Sequence, residues 1–255
     1  MAQVRFGFHR SMDVVHWAKH EVIRRCVMRP EPDLSTIAAL IGDPTRSIML
    51  SALLGGESLP ASELAYRSHI TAQTASSHLA KLVDGGLLTM QRTGRHHYYQ
   101  LKNAEVAHLL EALAVVAPPP RVKTQAQSEE LNELHLARTC YDHLAGKLGV
   151  AVTQSLLDQE LIRLDEADYQ VTTAGSKWLT AWEIDESQLH KGRRKFACTC
   201  LDWSERRYHL AGALGASVAA KFFEKGWVAR IDGTRAIRIT HIGQKGLKEQ
   251  FGINI

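Results

Sequence analysis

One eight-residue phrase occurs twice in this chain. His143-Leu-Ala-Gly-Lys-Leu-Gly-Val150 returns as His209-Leu-Ala-Gly-Ala-Leu-Gly-Ala216, at an offset of 66 residues. At the same offset Leu156-Leu157 meets Phe222-Phe223, and Leu161-Ile162 meets Trp227-Val228. With two more residues in the second copy, Val171-Thr-Thr-Ala-Gly175 meets Ile239-Thr-His-Ile-Gly243. Upstream, Cys140-Tyr-Asp142 is matched by Cys200-Leu-Asp202, with a longer spacer before the second histidine. Each unit reads helix, helix, β-hairpin, helix, which is close to winged-helix geometry. The C-terminal half is therefore expected to be two degenerate winged-helix-like repeats packed together.

The duplicated side chains have their own chemistry. Cys140, Asp142 and His143, with Cys200, Asp202 and His209, are ligand types for zinc or a softer metal if the copies meet at a pseudo-two-fold axis. Cys198 adds a further thiol, and thiol-based redox or electrophile sensing uses the same residues. The spacing fits no zinc finger, and no Cys-x-x-Cys occurs. The plainest alternative has the cysteines as buried fillers, Asp142 and Asp202 as helix caps and the histidines bonded to backbone. Trp178, Trp182, Trp203, Phe222, Phe223 and Trp227 could line a small-molecule pocket, although aromatics so spaced are more often core. A metal ion or a small-molecule effector is thus left open.

In the first half, Thr71 to Gly86 reads as a helix. Thr71 is a good N-cap, Ala75, Leu79, Leu82 and Val83 form one apolar stripe, and Gly85-Gly86 ends it. The opposite face carries Gln73, Thr74, Ser77, Ala80 and Lys81, flanked by Ser76 and His78. These side chains are short, polar and nearly free of acid, suited to reaching base edges in a groove. Glu63 to Arg67 gives a shorter helix, and Ser68-His69-Ile70 a tight turn. Leu87 to Arg92 and His97 to Leu101 read as strands joined at Thr93-Gly94-Arg95, with Arg92 and Arg95 at the tip for a phosphate backbone. Helix, turn, helix and basic hairpin in that order make a winged helix-turn-helix.

These residues resemble the ArsR-type (ArsR/SmtB) winged-helix transcriptional repressors. The likeness rests on Gly42-Asp-Pro-Thr-Arg46, Glu63-Leu-Ala65, Ser76-Ser-His-Leu79, Gly86-Leu-Leu88 and Gly94-Arg-His-His-Tyr-Tyr99, and covers residues 34 to 116. It implies a homodimer, paired through terminal helices, that blocks promoters. Metal-sensing members carry Cys-x-Cys before the Asp/Glu-Leu-Ala of the first helix. Here Pro60-Ala61-Ser62 stands in that place, so that metal site is absent.

The remaining features are consistent with this reading. At 255 residues, 45% hydrophobic and 23% charged, the chain has the composition of a soluble globular protein of one large or two ordinary domains. Its net charge of +4 suits nucleic acid without requiring it. Between residues 34 and 116 six bases are balanced by six acids, which predicts modest non-specific affinity. No apolar run approaches a membrane span, and four unevenly spread cysteines (Cys26, Cys140, Cys198 and Cys200) suit a reducing cytoplasm.

The order of domains follows. Residues 1–33 form an N-terminal arm, with Val14, Trp17, Ala18 and Val22 on one helix face and Lys19, Arg24 and Arg25 as further basic groups. Residues 34–116 form the winged helix-turn-helix, in which Ile48, Met49, Ala52 and Leu53 face inward. Residues 117–128 are a linker stiffened by Pro118-Pro-Pro120, and 129–255 a sensing or dimerisation domain. The fold class is mainly α with small β-hairpin wings.

The function expected is a cytoplasmic, homodimeric regulator of double-stranded DNA, with no membrane partner. Thr71, Gln73, Thr74, Ser76, Ser77, His78, Lys81, Arg92 and Arg95 form its DNA surface. No phosphate loop, nucleophile elbow or carboxylate pair supports an enzyme. A non-DNA-binding protein-interaction module is the remaining class, and it would not need the arginines of the wing.

Overall fold

The computed structural model describes residues 31–166, 168–192 and 194–255. The helix expected around Val14, Trp17, Ala18 and Val22, with its neighbouring Lys19, Arg24 and Arg25, lies outside them. The chain forms two compact units, residues 1–38 and 39–255. In the first, Asp33 accepts from Ser35 and Thr36 and starts helix α1 (Leu34–Ile41).

In the second unit Asp43 caps α2 (Pro44–Ala52) by accepting from the Arg46 amide at 2.9 Å, with Pro44 at the first helical position where its missing N–H costs nothing. Met49, Leu50 and Leu53 of this segment are buried, whereas Ile48 faces solvent, contrary to expectation. The inward face is rotated by about one residue, with Leu50 buried and Ile48 open. A short strand β1 (Leu59–Pro60) leads into α3 (Ala61–Arg67), and His69, at φ 53°, makes the turn into α4 (Ala72–Asp84). Ala75, Leu79 and Leu82 of α4 are fully buried, so its apolar stripe is core. Strands β2 (Leu88–Thr93) and β3 (His96–Leu101) pair antiparallel from Leu88↔Leu101 to Thr93↔His96. Gly94-Arg95 is the whole turn, with Gly94 at φ 60°. Helix α5 (Ala104–Val116), capped by Asn103, closes this half.

A helix, α6, begins at Gln125 and runs to Leu136. Two copies of one pattern follow. The first is β4 (Arg138–Cys140), β5 (His143–Ala145), α7 (Gly146–Asp158), β6 (Ile162–Asp165), β7 (Asp168–Val171) and α8 (Thr173–Ala181). After α9 (Glu186–Lys191) the second is β8 (Cys198–Leu201), β9 (Tyr208–Ala211), α10 (Gly212–Glu224), β10 (Val228–Arg230), β11 (Ile237–Ile239) and α11 (His241–Phe251). The expected order of helix, helix, hairpin, helix is kept, but an extra hairpin stands between the first two helices of each copy. Its turn in the first copy is only Tyr141-Asp142, with Tyr141 at φ 61°. A two-residue link between such short strands gave no periodicity from which to read it.

The repeated residues hold equivalent places. Gly146 and Gly212 start their helices at φ 72° and 80°, a backbone only glycine adopts freely. Thr172 and Thr240 cap α8 and α11 by accepting from Gly175 and Gly243.

The copies interlock reciprocally. α7 packs on β9 while α10 packs on β5. The Tyr169 amide donates to the Ala197 carbonyl at 3.2 Å, and the Ile237 amide to that of Ala137 at 3.0 Å, the same bond in each direction. They share one core, in which Trp182, Phe222, Trp227 and Phe251 meet at tilted or edge-to-face angles. Trp182, Phe222 and Trp227 are thus core, whereas Trp203 lies outside it against Arg138.

Candidate functional site

The outer face of α4 is presented as its sequence suggested. Gln73, Thr74, Ser76, Ser77 and Lys81 are exposed, on the side away from Ala75, Leu79 and Leu82. The Thr71 hydroxyl caps the helix by accepting from the Thr74 amide at 3.2 Å, and the Ser76 hydroxyl donates back to the Ala72 carbonyl at 2.9 Å. Arg92 and Arg95 are exposed at the hairpin tip, where Arg92 Nε donates to the Gly94 carbonyl. His78, on the flank of this face, is partly buried, with Nδ1 3.7 Å from the carboxylate of Asp43 that caps α2.

A second constellation lies where the repeats meet. In the β4–β5 hairpin Cys140 stands directly opposite His143, and in β8–β9 Cys200 stands opposite His209. Each hairpin therefore delivers one sulfur and one imidazole to the same face. The pseudo-symmetry brings the two pairs together, with His143 Nε2 3.1 Å from His209 Nε2 and Cys140 Sγ 3.9 Å from Cys200 Sγ. All four residues are buried, and their ligand atoms lie within 4.8 Å of one another. Cys198 is buried two positions away on β8, outside this set.

The aspartates back the histidines. Asp142 lies 3.5 Å from His143 Nδ1, and Asp202 lies 3.3 Å from His209 Nδ1, contacts too poorly aligned for formed hydrogen bonds. An arginine attends each carboxylate. Arg194 grips Asp142 through both terminal nitrogens, and the wholly buried Arg138 donates to Asp202 at 2.9 Å beneath the Trp203 ring. Asp202 also accepts from the amides of Gly146, Ser204 and Glu205. Burial pushes the Asp142 carboxyl up, but Arg194 and then His143 hold it down at about 2. Asp202 is likewise held far below the usual carboxylate range, by His209 and Arg138 against its burial. Burial opposes a charge on His209, yet the facing Asp202, with Cys140, raises it to about 9.

Helix α5 reaches this constellation directly. His108 of α5 sits edge-on to His143, with ring centroids 6.5 Å apart. Buried Glu111 of α5 is paired with Arg235 in the β10–β11 turn. Neither His108, Glu111, Arg138, Arg194 nor Arg235 was singled out in the sequence, because their partners are far along the chain. Only the repetition of the Cys, Asp and His residues signalled this place.

Comparison with known proteins covers most of the chain. The helix-turn-helix domain family model matches residues 41–91. An uncharacterized HTH-type transcriptional regulator, YdfF of Bacillus subtilis (strain 168), is 42% identical over 224 residues, covering 88% of this chain and 99% of YdfF. The chain belongs to the ArsR-type winged helix-turn-helix transcriptional regulators. Shorter members align with less of this regulator. The arsenical resistance operon repressor of Staphylococcus aureus is 33% identical over 33% of the chain and 80% of its own length. CmtR of Mycobacterium tuberculosis (strain ATCC 25618 / H37Rv) is 34% identical over 43% of the chain and 95% of its own. The YdfF alignment is long enough to include much of the repeats as well. Among the described residues, no helix of the regulator is long and apolar enough to cross a membrane.

Proposed function

We propose that this regulator represses transcription by binding double-stranded DNA in the cytoplasm as a homodimer, reading an imperfect inverted repeat. The observation that carries the reading is the outward face of α4, polar, exposed and free of acid beside an arginine-tipped wing. Gln73, Thr74, Ser76, Ser77 and Lys81 meet base edges, and Arg92 and Arg95 clamp phosphates. Thr71 and His78 set the helix in place. Two such helices related by a two-fold axis span half-sites about one DNA turn apart.

Self-association is supported by α5. Its inner face, Val106 and Leu110, is buried in the regulator, while Leu109, Leu113 and Val116 form an exposed stripe at helical spacing, 38%, 41% and 78% open. Apolar side chains so aligned gain by meeting a second copy. Repression is supported by the name of the staphylococcal relative. The regulator works by binding, and its signal enters through residues 129–255, since Pro60-Ala61-Ser62 offers no thiolates.

The test is footprinting on DNA upstream of the regulator's own coding sequence at low salt. Two protected half-sites about one turn apart are expected. A chain that protects no duplex DNA there would sink the reading.

A further inference from the structure

We propose that Cys140, His143, Cys200 and His209 hold one tetrahedral metal ion per chain, a thiophilic divalent cation of the zinc class, which clamps the two repeats across their pseudo-two-fold axis. The site lies in the C-terminal domain and stands whether or not the DNA reading does.

Geometry is the first argument. Zinc bonds of about 2.3 Å to sulfur and 2.0–2.1 Å to nitrogen place tetrahedral ligands about 3.8 Å apart for two sulfurs and about 3.3–3.4 Å for two nitrogens. The sulfurs stand 3.9 Å apart and the nitrogens 3.1 Å apart. All cross pairs fall within 4.8 Å, so closing on an ion takes side-chain shifts of about an ångström or less.

Convergence is the second. The two Nε2 atoms face each other at 3.1 Å and the two sulfurs at 3.9 Å, while a carboxylate stands behind each ring, 3.5 Å from His143 Nδ1 and 3.3 Å from His209 Nδ1. One ion between them engages all four ligand atoms at once. The arrangement of carboxylate, histidine and metal is the usual outer support of such a site.

Charge is the third. Asp142 is matched by Arg194 and Asp202 by Arg138. What remains uncompensated on binding is two thiolates, which a dication neutralises as their protons leave to solvent. Two sulfurs in the set disfavour magnesium or calcium. Four protein ligands in a buried place describe a closed site, not one that leaves a position for substrate. A cavity of about 250 Å³ between α5 and β8, lined by His108, Ala112 and Val115, has Cys200 in its wall.

The test uses the full-length chain, stripped with a chelator under reducing conditions and titrated with Co(II), then Zn(II). One equivalent of Co(II) is expected to give intense tetrahedral d–d bands and a sulfur-to-cobalt charge-transfer band, and one equivalent of Zn(II) to abolish them. Cys200→Ser and His209→Gln are expected to lose the bands, Cys198→Ser to keep them, and Asp142→Asn to weaken binding about 10–100-fold. A weak, octahedral-type spectrum, a stoichiometry far below one, or equal loss in Cys198→Ser and Cys200→Ser would overturn the proposal. Should the ligand variants fail to fold by circular dichroism, the wild-type spectrum and thiol titration decide alone. Thiols that react equally fast with and without metal would then refute the site.

Discussion

The amide of Tyr141 donates to the carbonyl of Leu54 at 2.7 Å, so the turn between Cys140 and His143 is bonded to the segment that follows α2. Beside it, a Cβ on Gly56 would come 2.1 Å from the Tyr141 carbonyl oxygen. The winged domain and the first repeat are therefore in backbone contact, which is what a change at the repeats needs in order to bias the DNA-binding half. The polyproline stretch need not carry the coupling.

Gly56→Ala tests this contact. Gly56 has φ 79°, so alanine meets both backbone strain and the Tyr141 carbonyl. A loss of about 1–3 kcal/mol is expected, read as a fall of several degrees in the thermal midpoint. A variant as stable as the parent would mean the two segments are not held together there.

Glu111 and Arg235 make a second bridge between the halves, buried on the glutamate side. Glu111→Gln is expected to cost about 3–5 kcal/mol in urea unfolding, because the arginine keeps its charge without a partner. Glu111→Leu combined with Arg235→Met should recover most of it. If the double variant were no better than the single one, the loss would not be electrostatic.

Asp43 gives a pH dependence. The bond from the Arg46 amide lowers its pKa, burial opposes it, and the Arg46 and His78 side chains add to the lowering. A depressed folded-state pKa means stabilisation that is complete above the unfolded value near 4 and is lost as pH falls through the folded one. The thermal midpoint should thus decline below about pH 4, and less steeply in Asp43→Asn, which still caps the helix. Equal slopes for parent and variant would remove Asp43 from the account.

On DNA, Arg95→Ala should weaken binding to every sequence and reduce the salt slope by about one unit. Gln73→Ala should cost about 1–3 kcal/mol at the operator and little elsewhere. Equal losses for both variants on random DNA would show that the wing and α4 do not divide the work in this way.

The exposed stripe of α5 predicts the oligomer. Leu113→Glu should shift the light-scattering mass from dimer to monomer at micromolar concentration, with the circular dichroism spectrum unchanged. A dimer that survives this substitution associates through another surface.

The sequence alone determined the local elements. Asp43-Pro44, Thr71 and Gly94 act within a few residues of themselves, so caps, the α4 stripe and the wing turn could be read directly. It also determined that the second half is double, since His-Leu-Ala-Gly-x-Leu-Gly needs its glycines for a positive φ and a close helix approach wherever it occurs. Tertiary structure decided the rest. That His78 lies against Asp43, that Ile48 faces out, and that Cys140, His143, Cys200 and His209 converge all depend on the packing of distant segments. His143 and His209 are 66 residues apart, and only the reciprocal docking of α7 on β9 and α10 on β5 brings their rings together. Spacing along a chain fixes which side chains share a face. Which faces meet is set by the burial of whole surfaces, a property no short window of sequence contains.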